Sequence, residues 1–167
     1  DLNFYNSHPY KTSKLVSIQD GSISFDFLGE YSATGNWKNS LENDIAELVA
    51  VSSSTSNFKT ITVKNTLGSS IIQEVAFSLA HGVEYLNLLT NLDLDAKKVA
   101  AKIQFIFSIS CNYFFEISKI RAARKLWSLI LEQYNIENTS MTIHSETSIS
   151  YLSEEDVNYN ILRNTTK

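Results

Sequence analysis

The sequence predicts an α/β fold of about four parallel βα units, roughly half of a closed (β/α) barrel. Three observations predict it. Four short segments with strand patterning begin about forty residues apart. Each gap between them holds an apolar stripe of helical period. Connections of that length cannot be hairpins, so neighbouring strands run parallel and are joined by helical crossovers.

The elements follow in order. Residues 1–22 read as an irregular leader that contains Pro9, and residues 23–167 as the barrel-type domain. Ile23–Phe27 (ISFDF) alternates apolar and polar residues and is the first strand candidate. Leu41, Ile45, Leu48 and Val49 form a helical stripe behind Ser40, a fitting N-cap, and Ser52–Ser56 reads as the exit loop. Thr60–Lys64 (TITVK) is the second strand. Ser70 and Gln73 have capping-box spacing ahead of the stripe Ile72, Val75, Ala76, Leu79, Val83 and Leu86. Asp95–Ala101 is a shorter helix. Gln104–Ser110 (QFIFSIS) is the third strand, and Tyr113–Gln133 a long helix with the stripe Ile120, Ala123, Trp127, Ile130 and Tyr134. Met141–Ser145 (MTIHS) is the fourth strand, and Asn158–Arg163 begins a last helix.

Composition narrows the function classes. The 167 residues carry 14 Lys+Arg against 18 Asp+Glu, a net charge of −4, so no basic nucleic-acid footprint is expected. A hydrophobic fraction of 43% with 19% charged residues suits a packed core. No apolar run is long enough to span a membrane, and no signal-peptide pattern opens the chain, so a cytoplasmic setting is expected. A single cysteine, Cys111, excludes an intrachain disulfide and any multi-cysteine metal site.

The strands differ from ordinary buried parallel strands, which are apolar on both faces. Ser24 and Asp26, Thr60 and Thr62, Ser108 and Ser110, and Thr142 and His144 alternate with apolar neighbours. If the apolar faces pack on helices, the hydroxyls form the other face. Two readings then stand side by side: a hollow barrel interior that admits a polar chain-like ligand, or a sheet with one solvated face. Half a barrel also leaves two sheet edges unpaired, so a longer chain or a partner is expected to cover them.

Motifs that carry chemistry are few. The five glycines are too dispersed for a nucleotide loop. His8, His81 and His144 share no metal-ligand spacing, although His144 lies near the carboxyl end of a strand, where barrel enzymes place reactive groups. Lys119, Arg121, Arg124 and Lys125 read either as a phosphate grip or as a solvated and paired helix face, for instance through Glu116 and Lys119.

The stretch Phe107–Trp127 (FSISCNYFFEISKIRAARKLW) resembles the coenzyme-B12-dependent acyl-CoA mutases, above all the methylmalonyl-CoA mutase family. Thr34-Gly35-Asn36-Trp37, Ala76–Tyr85 (AFSLAHGVEY), His144–Ser148 (HSETS) and Val157–Thr166 (VNYNILRNTT) resemble further family segments in the same order. The resemblance implies a partial (β/α)8 TIM-type barrel of acyl-CoA mutase type, through whose axis the CoA arm threads past small hydroxyls. Thr60, Thr62, Ser108, Ser110, Thr142 and His144 are the candidate channel wall.

The departures carry equal weight. The resemblance implies a Tyr-His pair of catalytic members at the positions of Thr62 and Val63, and an arginine facing CoA at Thr142. Ile149 and Ser150 stand where the family has glycine and tryptophan, and the cobalt-binding Asp-x-His-x-x-Gly motif is absent from these residues. These losses resemble the small, non-catalytic subunit of two-chain mutases. What the resemblance implies is therefore a segment with no catalytic residue of its own, and no metal or cofactor ligand. Its partner would be a large catalytic subunit in a heterodimer, with adenosylcobalamin and the acyl-CoA substrate bound by the holoenzyme. A fragment of a catalytic chain for another branched acyl-CoA, or a free-standing α/β interaction module, are the alternatives.

Overall fold

The computed structural model describes residues 3–4, 21–54, 58–64, 70–148, 152 and 157–165. Five parallel strands form one sheet: β1 (Asn3–Phe4), β2 (Gly21–Phe25), β3 (Phe58–Lys64), β4 (Ile103–Ile109) and β5 (Thr142–Thr147). Their spatial order is β1-β2-β3-β4-β5, the same as their order in the chain, and every neighbouring pair is parallel. Strands that stay in sequence order with helices between them build a barrel wall, here a partial one. The helices are α1 (Phe27–Thr34), α2 (Leu41–Ser54), α3 (Ile71–Thr90), α4 (Ala96–Lys102), α5 (Tyr113–Gln133) and α6 (Val157–Thr165).

The four expected strands and five expected helices all form, with shifts of a few residues at their ends. Capping explains where the helices start. Ser70 Oγ accepts from the Gln73 N–H at 3.2 Å and bonds the Gln73 side chain at the same distance, which sets the first turn of α3. Asp95 accepts from the Lys97 N–H at the head of α4. Ser40 Oγ accepts from the Asn43 N–H ahead of α2.

The leader supplies a strand, since Asn3–Phe4 pairs with Ser22 and Ile23 of β2. The sheet also begins earlier than the expected boundary at residue 23, with Gly21 and Ser22 already paired to Phe58 and Lys59.

A further helix replaces the end of the first strand candidate. Asp26 Oδ1 accepts from the Gly29 N–H at 2.9 Å, so the chain turns into α1 at Phe27 rather than continuing extended. A side chain at Gly29 would place its Cβ 2.3 Å from Asp26 Oδ2, so the cap needs glycine there. Gly35 ends α1 with φ of 72° while its N–H donates to the Tyr31 carbonyl. The Thr34-Gly35-Asn36-Trp37 segment is thus a helix exit, and it brings Trp37 onto Tyr31 with ring centroids 4.1 Å apart.

The strand registers separate the two faces of the sheet. Val63, Phe105 and Ile143 are partners on three adjacent strands, as are Thr62, Gln104 and Thr142. The first row belongs to the helix side. Phe105 meets Trp127 of α5 edge-on, with ring centroids at 4.8 Å, and lies against Gly82 of α3. Phe107, Leu79, Leu86, Ala123 and Leu131 complete this core. The second row therefore points away from the helices, because side chains alternate along each strand.

Candidate functional site

The face turned away from the helices is the candidate channel wall, and the registers give its composition row by row. Thr62, Gln104 and Thr142 form one level. Lys64, Ile106 and His144 form the next, and Ser108 with Glu146 the one above. Thr62 is 1% exposed, whereas Ser108, Thr142 and His144 are half-buried. The face is polar but not purely hydroxyl-bearing: Ile106 interrupts it, and Gln104, Lys64 and Glu146 add an amide and an ion pair. Lys64 Nζ lies 2.6 Å from Glu146 Oε2, reaching past β4.

Two of the candidate wall side chains are hydrogen-bonded to helices. Thr60 is fully buried, and its hydroxyl shares a 2.8 Å hydrogen bond with Ser52 of α2. Ser110 follows the last residue of β4, and its N–H and hydroxyl both donate to Glu116 Oε1 of α5. The sheet itself thus presents Thr62, Ser108, Thr142 and His144. Val63 belongs to the helix side: it is fully buried in the core beside Phe105. The position compared with the family's histidine therefore does not open onto the polar face, on which its neighbours Thr62 and Lys64 lie.

The carboxyl end of β4 is fixed by charges. Lys119 Nζ pairs with Glu74 Oε2 of α3 at 2.9 Å, with Glu116 Oε2 one turn back on α5, and donates to the Ser108 carbonyl. Glu74 Oε1 accepts from the Ser108 N–H at 2.7 Å. The Lys119 side chain is fully buried, so its charge must be compensated where it lies. Burial pushes the Glu116 carboxyl up, but the Lys119 ammonium and the two Ser110 donors outweigh this and hold it below its ordinary value of 4.5. Arg121, Arg124 and Lys125 are exposed, so the four cations share no face. The paired-helix reading of Glu116 and Lys119 holds. Glu74, the third member, leaves no local signal in the sequence, because its partner is 45 residues away.

A second buried carboxylate sits where β2 gives way to α1. Asp26 Oδ1 accepts from the Tyr85 hydroxyl at 3.0 Å, and Oδ2 accepts from the Lys64 N–H at 3.0 Å. Tyr85 in turn accepts from the Leu28 N–H at 3.1 Å. Burial raises the Asp26 carboxyl above its ordinary range, against the opposing pull of the Lys64 and Gly29 amides and the Tyr85 hydroxyl. Burial, reinforced by the Asp26 charge, raises the Tyr85 phenol as well. Asp26 thus ties β2, β3, α1 and α3 together at one point.

Neither cluster has the make-up of a metal centre. Among the described residues, no three His, Cys, Asp or Glu side chains are placed to hold a metal ion. His144 shares its row with Ile106 and Lys64. No helix among the described residues is long and apolar enough to cross a membrane.

Comparison with known proteins places the sequence among relatives. A family model described as methylmalonyl-CoA mutase matches residues 5–167. The chain is 37% identical over 99 residues to methylmalonyl-CoA mutase of Rhizobium meliloti, which covers 58% of this chain and 14% of that protein. It is 38% identical over 104 residues to the methylmalonyl-CoA mutase small subunit of Porphyromonas gingivalis, 60% of this chain and 17% of the relative. It is 37% identical over 99 residues to the methylmalonyl-CoA mutase large subunit of Streptomyces virginiae, again 58% of this chain and 14% of the relative. The aligned part thus spans less than a fifth of each of these relatives.

Proposed function

This chain belongs to the methylmalonyl-CoA mutase family, and from that premise we propose that it is a barrel segment of a mutase small subunit, a scaffold without catalytic residues of its own. The observation that carries the reading is one row of the polar face. Thr62, Gln104 and Thr142 lie side by side, all neutral, at the level where an arginine of a catalytic chain would face CoA. A threonine hydroxyl can guide a polar arm but cannot clamp a phosphate as a guanidinium does. The cation on this face, Lys64, is held by Glu146. Similarity alone does not separate the subunit types, since small- and large-subunit relatives match at 38% and 37%; the neutral row favours the small one.

In this reading Thr62, Ser108, Thr142 and His144 line the path of the CoA arm, with Thr60 and Ser110 at its two ends. The Lys119 cluster keeps the end of β4 in place. Adenosylcobalamin, held by a large catalytic subunit, supplies the radical chemistry that interconverts methylmalonyl-CoA and succinyl-CoA in the holoenzyme. The chain's own task is to complete and stabilise a heterodimer in the cytoplasm.

The test is purification of the full-length protein from its source cell, followed by cobalamin analysis and a mutase assay. We expect a cobalamin-bearing second chain to co-purify, and activity to disappear when that chain is removed. Turnover of methylmalonyl-CoA by the protein alone with adenosylcobalamin would overturn the non-catalytic assignment. A stable monomer without a cobalamin-bearing partner would overturn the scaffold assignment.

A further inference from the structure

Between α1 and the first half of α2, at the carboxyl end of β2, lies a cavity of about 290 Å³. Phe25, Phe27 and Ala33 give it apolar wall, and Glu30, Asp44 and Glu47 give it carboxylates. It lies apart from the Thr62–Gln104–Thr142 row, none of which contributes to it.

Asp44 is the unusual member. It is only 4% exposed, one turn into a helix whose other early acids, Glu42 and Glu47, are less buried. Its Oδ1 accepts from Asn39 Nδ2 at 3.3 Å. Its Oδ2 is buried with no hydrogen-bond partner among the described residues. Buried carboxylate oxygens are almost always satisfied, because a bare one loses its water and gains nothing in return. The two lysines in the cavity wall do not supply the missing donor. Lys64 reaches to Glu146, and Lys38 makes no ion pair with Asp44. The neighbouring carboxylates of Glu30 and Glu47 disfavour an anion. A bare metal ion is a poor fit as well, since no three suitable ligands converge there.

We propose that this cavity binds an alkylammonium group, its N–H donating to Asp44 Oδ2 and its methylene stem lying against Phe25 and Ala33. The fit is chemical and steric. One ammonium supplies the donor that Asp44 lacks, the rim carboxylates stabilise its charge, and the apolar wall takes the stem. At roughly 30 Å³ for each displaced water, the cavity has room for a chain of several methylenes. The same chemistry comes from two sources, a free aliphatic amine or the lysine side chain of another protein.

The experiment is a titration of the full chain with 1,5-diaminopentane and, separately, with Nα-acetyl-lysine methylamide, followed by calorimetry and by amide NMR of α2. We expect saturable binding, weakened about tenfold or more in Asp44→Asn and less in Glu47→Gln. Tighter binding of the diamine identifies a free amine as the natural source; equal or tighter binding of the lysine derivative identifies a lysine side chain. Absence of saturation with both compounds overturns the site. So does undiminished affinity in folded Asp44→Asn or, if that variant does not fold, an unchanged affinity in Glu47→Gln.

Discussion

At the scale of single residues, the strongest dependence lies in Lys119. Its ammonium is fully buried between Glu74 and Glu116 and also holds the Ser108 carbonyl. A buried ion pair adds little net stability over an apolar replacement of both partners, but removing one partner strands the other charge. Lys119→Met leaves two carboxylates facing each other across a buried gap. We expect a loss of about 3–5 kcal/mol in urea unfolding. Changing Glu74→Gln and Glu116→Gln together with Lys119→Met should recover much of that loss. Acid behaviour follows from the same cluster. The Glu116 carboxyl is held below its ordinary value in the folded chain, so in acid the unfolded chain takes up the proton first. Its contribution to stability is present above about pH 4.5 and is lost as pH falls through the folded value. Asp26 is shifted the opposite way and contributes the opposite slope. The clean comparison is therefore Glu116→Gln against the unaltered chain, and unfolding free energies across pH 3–6 should show a shallower acid decline in the variant.

At the scale of elements, the packing of α3 on α5 and β4 turns on Gly82. A Cβ added there would sit 2.8 Å from Phe105 Cζ and 3.0 Å from Trp127 Cζ3, both rings being fully buried. Alanine in a helix interior gains about 1 kcal/mol over glycine from propensity. Forcing two packed rings apart costs about 1–3 kcal/mol. Gly82→Ala should therefore lower the melting midpoint, and a stabilised variant would mean that α3 stands off the sheet. The same elements show what periodicity can and cannot reveal. The 3.6-residue stripe of α5 predicted Tyr113–Gln133, the observed span, because one face of the helix is buried along its length. The Ser70 and Gln73 pair predicted the start of α3, because a cap is a local contact. α1 leaves little trace in the sequence, because its eight residues carry only a weak apolar stripe and follow a strand directly. The one local signal was Asp26 three residues before Gly29, and it lay inside an alternating pattern that reads as strand. Asp44 and Glu74 were illegible for another reason: what makes them notable is burial and a distant partner, neither of which leaves a periodic trace.

At the scale of the whole molecule, the question is which side of the sheet is inside. Alternation in the sequence divided the strands into two faces, but two-fold alternation alone does not say which face the helices cover. The structure decides it through side-chain contacts: Phe105 on Trp127 and Gly82, and Lys119 over the Phe107 ring at 5.8 Å. Two neighbouring strand positions then respond in opposite ways. Val63 is fully buried on the helix side, whereas Thr142 is half-buried on the polar side. Val63→His puts a larger, polar imidazole into the fully buried helix-side core beside Phe105. We expect a cost of about 2–4 kcal/mol from lost packing and an unsatisfied polar group. Thr142→Arg extends a flexible side chain across the polar face toward His144 and Gln104 and should change stability by less than about 1 kcal/mol. Paired chemical denaturation of the two variants measures both. If Thr142→Arg were the damaging change and Val63→His the tolerated one, the helices would have to cover the other face. A hydroxyl-lined path for CoA would then have no room in the fold.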